Sequence, residues 1–241
     1  MNNKYKRILI KLSGEGLVNK EKSLAIDYDL VGDIARQLKQ ISDRGIQISI
    51  VIGGGNFFRG ASAEKNGIPR NRADYIGMLA TIMNGLALKS GFERIGLKTR
   101  IQSSLVVDQK VAENYVNEKT IKYLRRRRGC YICWWNRQTI LYNRHCFATL
   151  FASEIGAEVI LMGKNGVSGI YDCDPKSNKN AKKFGKISYD EILDKKLQVM
   201  DLTATSMARD NNINLIIFNI NEPNAILRAI EGDIDHTEVV S

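Results

Sequence analysis

The chain of 241 residues has no run of 18 apolar residues, so no membrane-spanning helix is expected. Proline is scarce, with three residues against twenty glycines. That balance excludes a long proline-rich linker and suits the compact turns of an α/β protein. No internal repeat and no low-complexity tract interrupts the sequence. The start, Met1-Asn-Asn-Lys-Tyr-Lys-Arg7, runs toward a strand without a secretory apolar core, and a cytoplasmic protein is expected. Acids do not balance bases, and the formal charge is +10. Nucleic-acid binding is the obvious inference from that excess. Yet six arginines lie between Arg125 and Arg144, and elsewhere the two signs are interspersed. The charge is local, and it argues only weakly for a nucleic-acid partner.

Cysteine is also sparse, at 130, 133, 146 and 173. Cys130 and Cys133 followed by His145-Cys146 resemble a metal-ligand set or a redox pair. Side chains of adjacent residues diverge, however, and no second well-spaced pair completes a tetrahedral site. The expectation is neither zinc nor redox chemistry.

Against these absences stands Ile48-Ser-Ile-Val-Ile-Gly-Gly-Gly-Asn-Phe-Phe-Arg-Gly60. A β-branched run ending in three glycines reads as a buried parallel strand that stops beneath a ligand. Bare backbone at 53, 54 and 55 lets N–H groups close around an anion. Arg59 adds a planar donor fork suited to phosphate. The competing reading is a plain strand-to-helix turn.

Arg7 to Leu12 reads as a first strand, ending at Ser13-Gly14-Glu15 with Lys11 at its tip. Tyr28 to Arg44 carries Leu30, Ile34, Leu38 and Ile41 at helical spacing, with Gly45 as cap. The two strands and this helix make a β-α-β unit, hence a parallel sheet. Ala61 to Arg72 is polar and predicts a flap. Ala73 to Ser90 predicts a helix with Ile76, Leu79, Ala80, Met83, Leu86 and Ala87 on its core face and Asp74 in its first turn. Met78 and Met83 read as core filler. Thr99 to Ser103 reads as a strand, Asp108 to Leu124 as a helix, and Glu158 to Met162 as a strand. Gly163 to Pro175 is a glycine-rich excursion at a strand end, where open sheets hold ligands. There Tyr171 could cover a planar base and Asp174 could accept from a ribose hydroxyl; the alternative is a hairpin with an Asp-Pro turn. Ser188-Tyr-Asp-Glu191 is a capping box, Thr203 to Asp210 a helix, Asn214 to Asn219 a buried strand, Glu222 to Glu231 a helix, and the last residues a short strand. The organisation is one α/β unit in two lobes, roughly 1–160 and 161–241.

Five separated motifs carry a resemblance. They are Lys11-Leu-Ser-Gly-Glu15, Gly53-Gly-Gly-Asn-Phe-Phe-Arg-Gly60, Arg72-Ala-Asp-Tyr-Ile-Gly-Met-Leu-Ala-Thr81, Gly169-Ile-Tyr-Asp-Cys-Asp-Pro175 and Val199-Met-Asp201. In this order they resemble the bacterial uridylate kinases of the amino acid kinase superfamily, over nearly the whole chain. The resemblance implies a three-layer α/β/α sandwich around a largely parallel sheet, with UMP held in the first lobe and ATP in the second. It implies ATP with Mg²⁺ as phosphoryl donor to UMP, Lys11 neutralising the transferring group and Asp201 orienting Lys11. It implies phosphate contacts from Ser13, Gly14, Gly54, Gly55 and Arg59, the UMP ribose on Asp74, and the adenosine end of ATP on Asn165, Tyr171 and Asp174. No protein side chain is expected to ligate metal directly. GTP activation, UTP inhibition and a homohexamer are further implications. Alternatives are a carboxylate or carbamate kinase of the same fold, or a non-catalytic nucleotide-binding regulator.

Two stretches depart from the family. Where it commonly has Lys-Val-Asp-Gly, this chain has Val167-Ser168-Gly169. From Arg126 to Phe147 it has no glycine loop and no Thr-Thr-Asp sequence. Codons permitted for Arg127 to Phe147, read one nucleotide later, can give Gly-Glu-Val-Val-Ile-Phe-Ala-Gly-Gly-Thr-Gly-Lys-Pro-Tyr-Phe-Thr-Thr-Asp-Thr-Ala, the family's segment in order. Two compensating frame changes, near residues 124–127 and 147–149, would produce the difference. Cys130 to Trp135 is apolar enough to remain a strand, while the loss of the small-residue loop is expected to weaken UMP binding and lower activity.

Overall fold

The computed structural model describes residues 3–19, 21–58, 67–126, 130–134, 144–175, 177–178, 180–197 and 199–241, with the backbone alone at 130–134 and 144–145. Arg59, the rest of the flap to residue 66, and 135–143 lie outside the described residues.

Strands β1 (Arg7–Leu12) and β2 (Gln47–Ile52) are parallel neighbours, with Lys11 opposite Val51 and Leu12 opposite Ile52. Between them runs α1 (Tyr28–Asp43), capped by Asp27 accepting from the Asp29 amide and ended by Gly45 at φ 85°. The sheet continues through β3 (Thr99–Ser103), β4 (Glu113–Asn114), β5 (Cys130–Trp134), β6 (Val159–Lys164), β9 (Lys186–Ser188), β10 (Asn214–Asn219) and β11 (His236–Val240). Its nine strands lie in the order β4-β3-β5-β2-β1-β6-β10-β11-β9. All neighbours are parallel except β10 and β11. A separate hairpin pairs β7 (Ile170–Tyr171) with β8 (Lys183–Phe184). The hairpin expected as the alternative for the 163–175 excursion is therefore present, with Asp174-Pro175 in its loop.

Alternate residues of the central strands feed two cores. Ile8, Ile10, Ile48 and Ile50 pack on Val31, Leu38, Leu88 and Phe92. Leu9, Val51, Ile160 and Met162 face the other way, onto Phe151, Ile155, Tyr189 and Ala208. The first layer is α1, α2 (Arg70–Arg94) and α7 (Ala225–Glu231); the second includes α4 (Arg144–Ile155), α5 (Tyr189–Asp194) and α6 (Leu202–Asp210). This is the expected three-layer α/β/α sandwich. Among the described residues no helix is long and apolar enough to cross a membrane.

The structure corrects three readings. Asp108 to Leu124 is not one helix. The Asp108 carboxylate accepts from the Lys110 amide, and Glu113–Asn114 joins β3 before α3 (Asn117–Arg125) begins. Sheet pairing, with Glu113 bridged to Arg100 and Lys119, outweighs the helical pattern. Second, α2 starts at Arg70, so Asp74 lies beyond its first turn, ion-paired to Arg70. Third, the stripe on α2 divides. Ala80 and Ala87 are buried, but Ile76, Leu79, Met83 and Leu86 are exposed, and Met83 is therefore not core filler. The buried residues of α2 include Ala73, Ala80 and Leu88, while Met78 and Ile82 form a separate small cluster with Leu105 and Val107.

Candidate active site

The carboxyl ends of β1, β2 and β6 open onto a cavity of about 470 Å³. It is lined by Lys11, Ser13, Glu15, Gly53, Lys164 and Asn165 among others. Lys11 stands on a central strand, between β2 and β6, and not on a sheet edge.

Two turns meet at this cavity. The Gly53 amide donates to the Leu12 carbonyl at 3.1 Å, continuing the ladder past the ends of both strands. Gly14 opens a short 3-10 turn, Gly14–Leu17, capped by the Ser13 hydroxyl, which accepts from the Glu15 amide. A Cβ on Gly14 would stand 2.5 Å from the Gly53 carbonyl oxygen and also strike Asn56. Gly54 leaves no more room, because its Cβ would lie 2.7 Å from Ala80 and 2.9 Å from the Gly77 carbonyl. The glycines at 14 and 54 are thus required by close approach: one brings the turns together, the other seats β2's turn on α2.

Asn84 holds this arrangement and was not singled out from sequence. It is fully buried on α2, and its amide donates to the Gly53 carbonyl at 2.7 Å. It also exchanges hydrogen bonds with Asn56, whose amide reaches the Ala25 carbonyl. The signal was present as a polar residue amid an apolar helix, but its partner lies 31 residues away.

Asn165 borders the same cavity, and its side-chain oxygen is buried without a hydrogen-bond partner among the described residues. The Gly166 amide donates to Asn219, fixing the turn. The Tyr171 hydroxyl lies 3.1 Å from that of Ser168. Tyr171 and Asp174 sit on the hairpin and Asp74 on α2, and none of the three is in the cavity lining. Gly55 is in the β2 turn, and Arg59 is outside the described residues.

Asp201 caps α6 by accepting from the Ala204 amide at 2.9 Å. The same oxygen accepts from the buried Cys146 thiol at 2.6 Å. Burial, followed by the adjacent carboxylate, pushes that thiol up to about 12. The other Asp201 oxygen is buried without a partner among the described residues. Asp201 is not in the cavity lining. Its helix does pack on the sheet face that carries Leu9, Val51 and Met162, the face to which alternation assigns Lys11. Cys146 is accordingly a core thiol. The side chains of Cys130, Cys133 and His145 lie outside the description, and no group of three metal-ligating side chains occurs among the described residues.

Parallel strands ending beneath a cavity large enough for a nucleotide, with two glycine turns and a lysine in its lining, define a nucleotide- or phosphate-handling α/β protein. The sequence profile of the amino acid kinase family matches residues 6–219, and the chain belongs to that family. It is 68% identical to the uridylate kinase of Mycoplasmopsis synoviae (strain 53), over 98% of both chains. It is 62% identical to that of Mycoplasmopsis pulmonis (strain UAB CTIP), over 98% of this chain and 97% of the other. The solved structure of UMP kinase from Ureaplasma parvum superposes with a TM-score of 0.92 at 37% identity, covering all of both chains.

Proposed function

We propose that the chain is built to transfer the γ-phosphoryl group of ATP to UMP, giving UDP for pyrimidine nucleotide synthesis. The observation that carries this reading is the contact between the Gly14 turn and the Gly53 turn beside Lys11. Phosphoryl transfer needs positioning and charge stabilisation more than a covalent participant. In this reading the amides of Gly14 and Gly54 face phosphate oxygens, and Lys11 offsets charge on the group in flight, oriented by Asp201. Ser13, Gly55 and Arg59 complete the phosphate contacts, and Asp74 receives the UMP ribose. Asn165, Tyr171 and Asp174 hold the adenosine end, its orphan Asn165 oxygen supplying an acceptor. Residues 1–160 then form the UMP lobe and 161–241 the ATP lobe.

The described residues offer no protein cage for a cation. Mg²⁺ in this reading arrives on the ATP phosphates, where it supplies counter-charge. The resemblance extends the proposal to GTP as activator, UTP as inhibitor and a cytoplasmic setting. A homohexamer would give the exposed Tyr75, Ile76, Leu79 and Met83 of α2 a partner, since such an apolar strip marks an interface.

ADP release measured against UMP, CMP, aspartate, glutamate and carbamate tests the assignment. UMP should be used far better than the rest; preference for a carboxylate or carbamate would replace this reading with that of another family member. ATP binding without turnover on any of them would favour the regulator.

A further inference from the structure

Lys164 ends β6 in the lining of the cavity, and its backbone is fixed by β10. It lies opposite Asn219 of β10, and its carbonyl accepts from the Ile220 amide at 3.0 Å. Among the described residues its ammonium donates one hydrogen bond, to the Val199 carbonyl at 3.2 Å. No carboxylate pairs with it among the described residues. Burial alone lowers its pKa from the usual lysine value, and no charged neighbour opposes that shift. A half-buried cation at a cavity wall, whose one partner among the described residues is a neutral carbonyl, is favoured when an anion completes its shell.

Geometry says where that anion would lie. Lys11 pairs in register with Met162, and Lys164 follows Met162 by two residues. Strand alternation therefore puts both lysines on one face of the sheet, at the ends of adjacent strands, bordering one cavity. Asn165, on the far side of Lys164 from the strand, begins the turn given above to adenosine.

We infer that Lys164 is a second phosphate-holding cation of this cavity, gripping the phosphate chain of the donor nucleotide between Lys11 and the Asn165 turn. The inference rests on the kinase reading and adds a residue to it. Its hydrogen bond to Val199 also ties that cation to the turn carrying Asp201.

Calorimetric binding of ATP, AMP and UMP to the wild-type chain, Lys164→Gln, Lys164→Met and Lys164→Arg tests this without requiring turnover. Loss of one charge-assisted contact should weaken ATP about tenfold to a hundredfold in the Gln and Met variants. AMP and UMP should stay within about twofold, and Lys164→Arg should retain most ATP affinity. Thermal unfolding of each variant identifies any that fails to fold, and Met keeps the buried stem where Gln does not. ATP affinity unchanged in folded Gln or Met variants overturns the inference, as does equal weakening of ATP and AMP. A wild-type chain that binds UMP but no ATP overturns the kinase reading itself.

Discussion

Gly14 shows how one missing side chain sets the site. Its backbone sits against the Gly53 carbonyl, and a methyl group there has no space. Gly14→Ala should destabilise the protein by about 1–3 kcal/mol through overpacking and weaken ATP binding as the turns part. Denaturant unfolding and calorimetry would measure the two effects. Asn84→Ala should cost about 1–3 kcal/mol, because it strands the buried Gly53 carbonyl and the Asn56 amide pair. Cys146 predicts a pH effect. Its thiol titrates near 9 when unfolded and is raised to about 12 when folded. The unfolded chain therefore releases the proton first, and stability present below pH 9 declines as pH rises toward 12. Cys146→Ala should flatten that part of the stability profile, measured by unfolding at successive pH values. At this scale the sequence disclosed the residues that stand out by being small or charged at a strand end, Gly53 to Gly55 and Lys11, and the structure places Lys11 and Gly53 on one cavity. It did not disclose the buried Asn84 or the position of Lys164, which depend on burial and on partners distant in the chain.

Among the elements, β1, β2, β6 and β10 were legible because buried parallel strands read as unbroken apolar runs. The capping box at Ser188 and Glu191 is present, with both reciprocal hydrogen bonds. Helix α2 was legible as a helix but not in its orientation. Both of its faces are apolar, and periodicity alone does not say which one the sheet takes. The side with small residues wins, since Gly54 must approach Ala80 and Gly77 closely. The bulky side faces out, and it is the surface the proposed homohexamer would bury. Leu79→Asp should lower the oligomer mass in light scattering while leaving the monomer's fold intact, because Leu79 is 51% exposed in the single chain. An unchanged mass would remove α2 from the interface.

For the molecule as a whole, the atypical stretch is the open question that chemistry can answer. Strand β5 takes its place between β3 and β2 despite the altered sequence, as its apolar composition predicted. Sheet position needs only an apolar, β-forming strand, and Cys130 to Trp134 supplies one. The segment that follows is another matter, because small residues and a helix N-terminus are what let backbone donors reach a phosphate. Exchanging residues 127–147 for the glycine-loop segment should raise UMP affinity and turnover strongly over the chain as it stands. Equal turnover by both would show that the stretch is not needed.

The most direct measurement is transfer of label from γ-labelled ATP to UMP by the exchanged chain, with Lys11 intact or replaced in Lys11→Gln. Labelled UDP should form with Lys11 present and fall about a hundredfold or more without it. No labelled UDP from the intact site, or undiminished transfer by Lys11→Gln, would contradict the account.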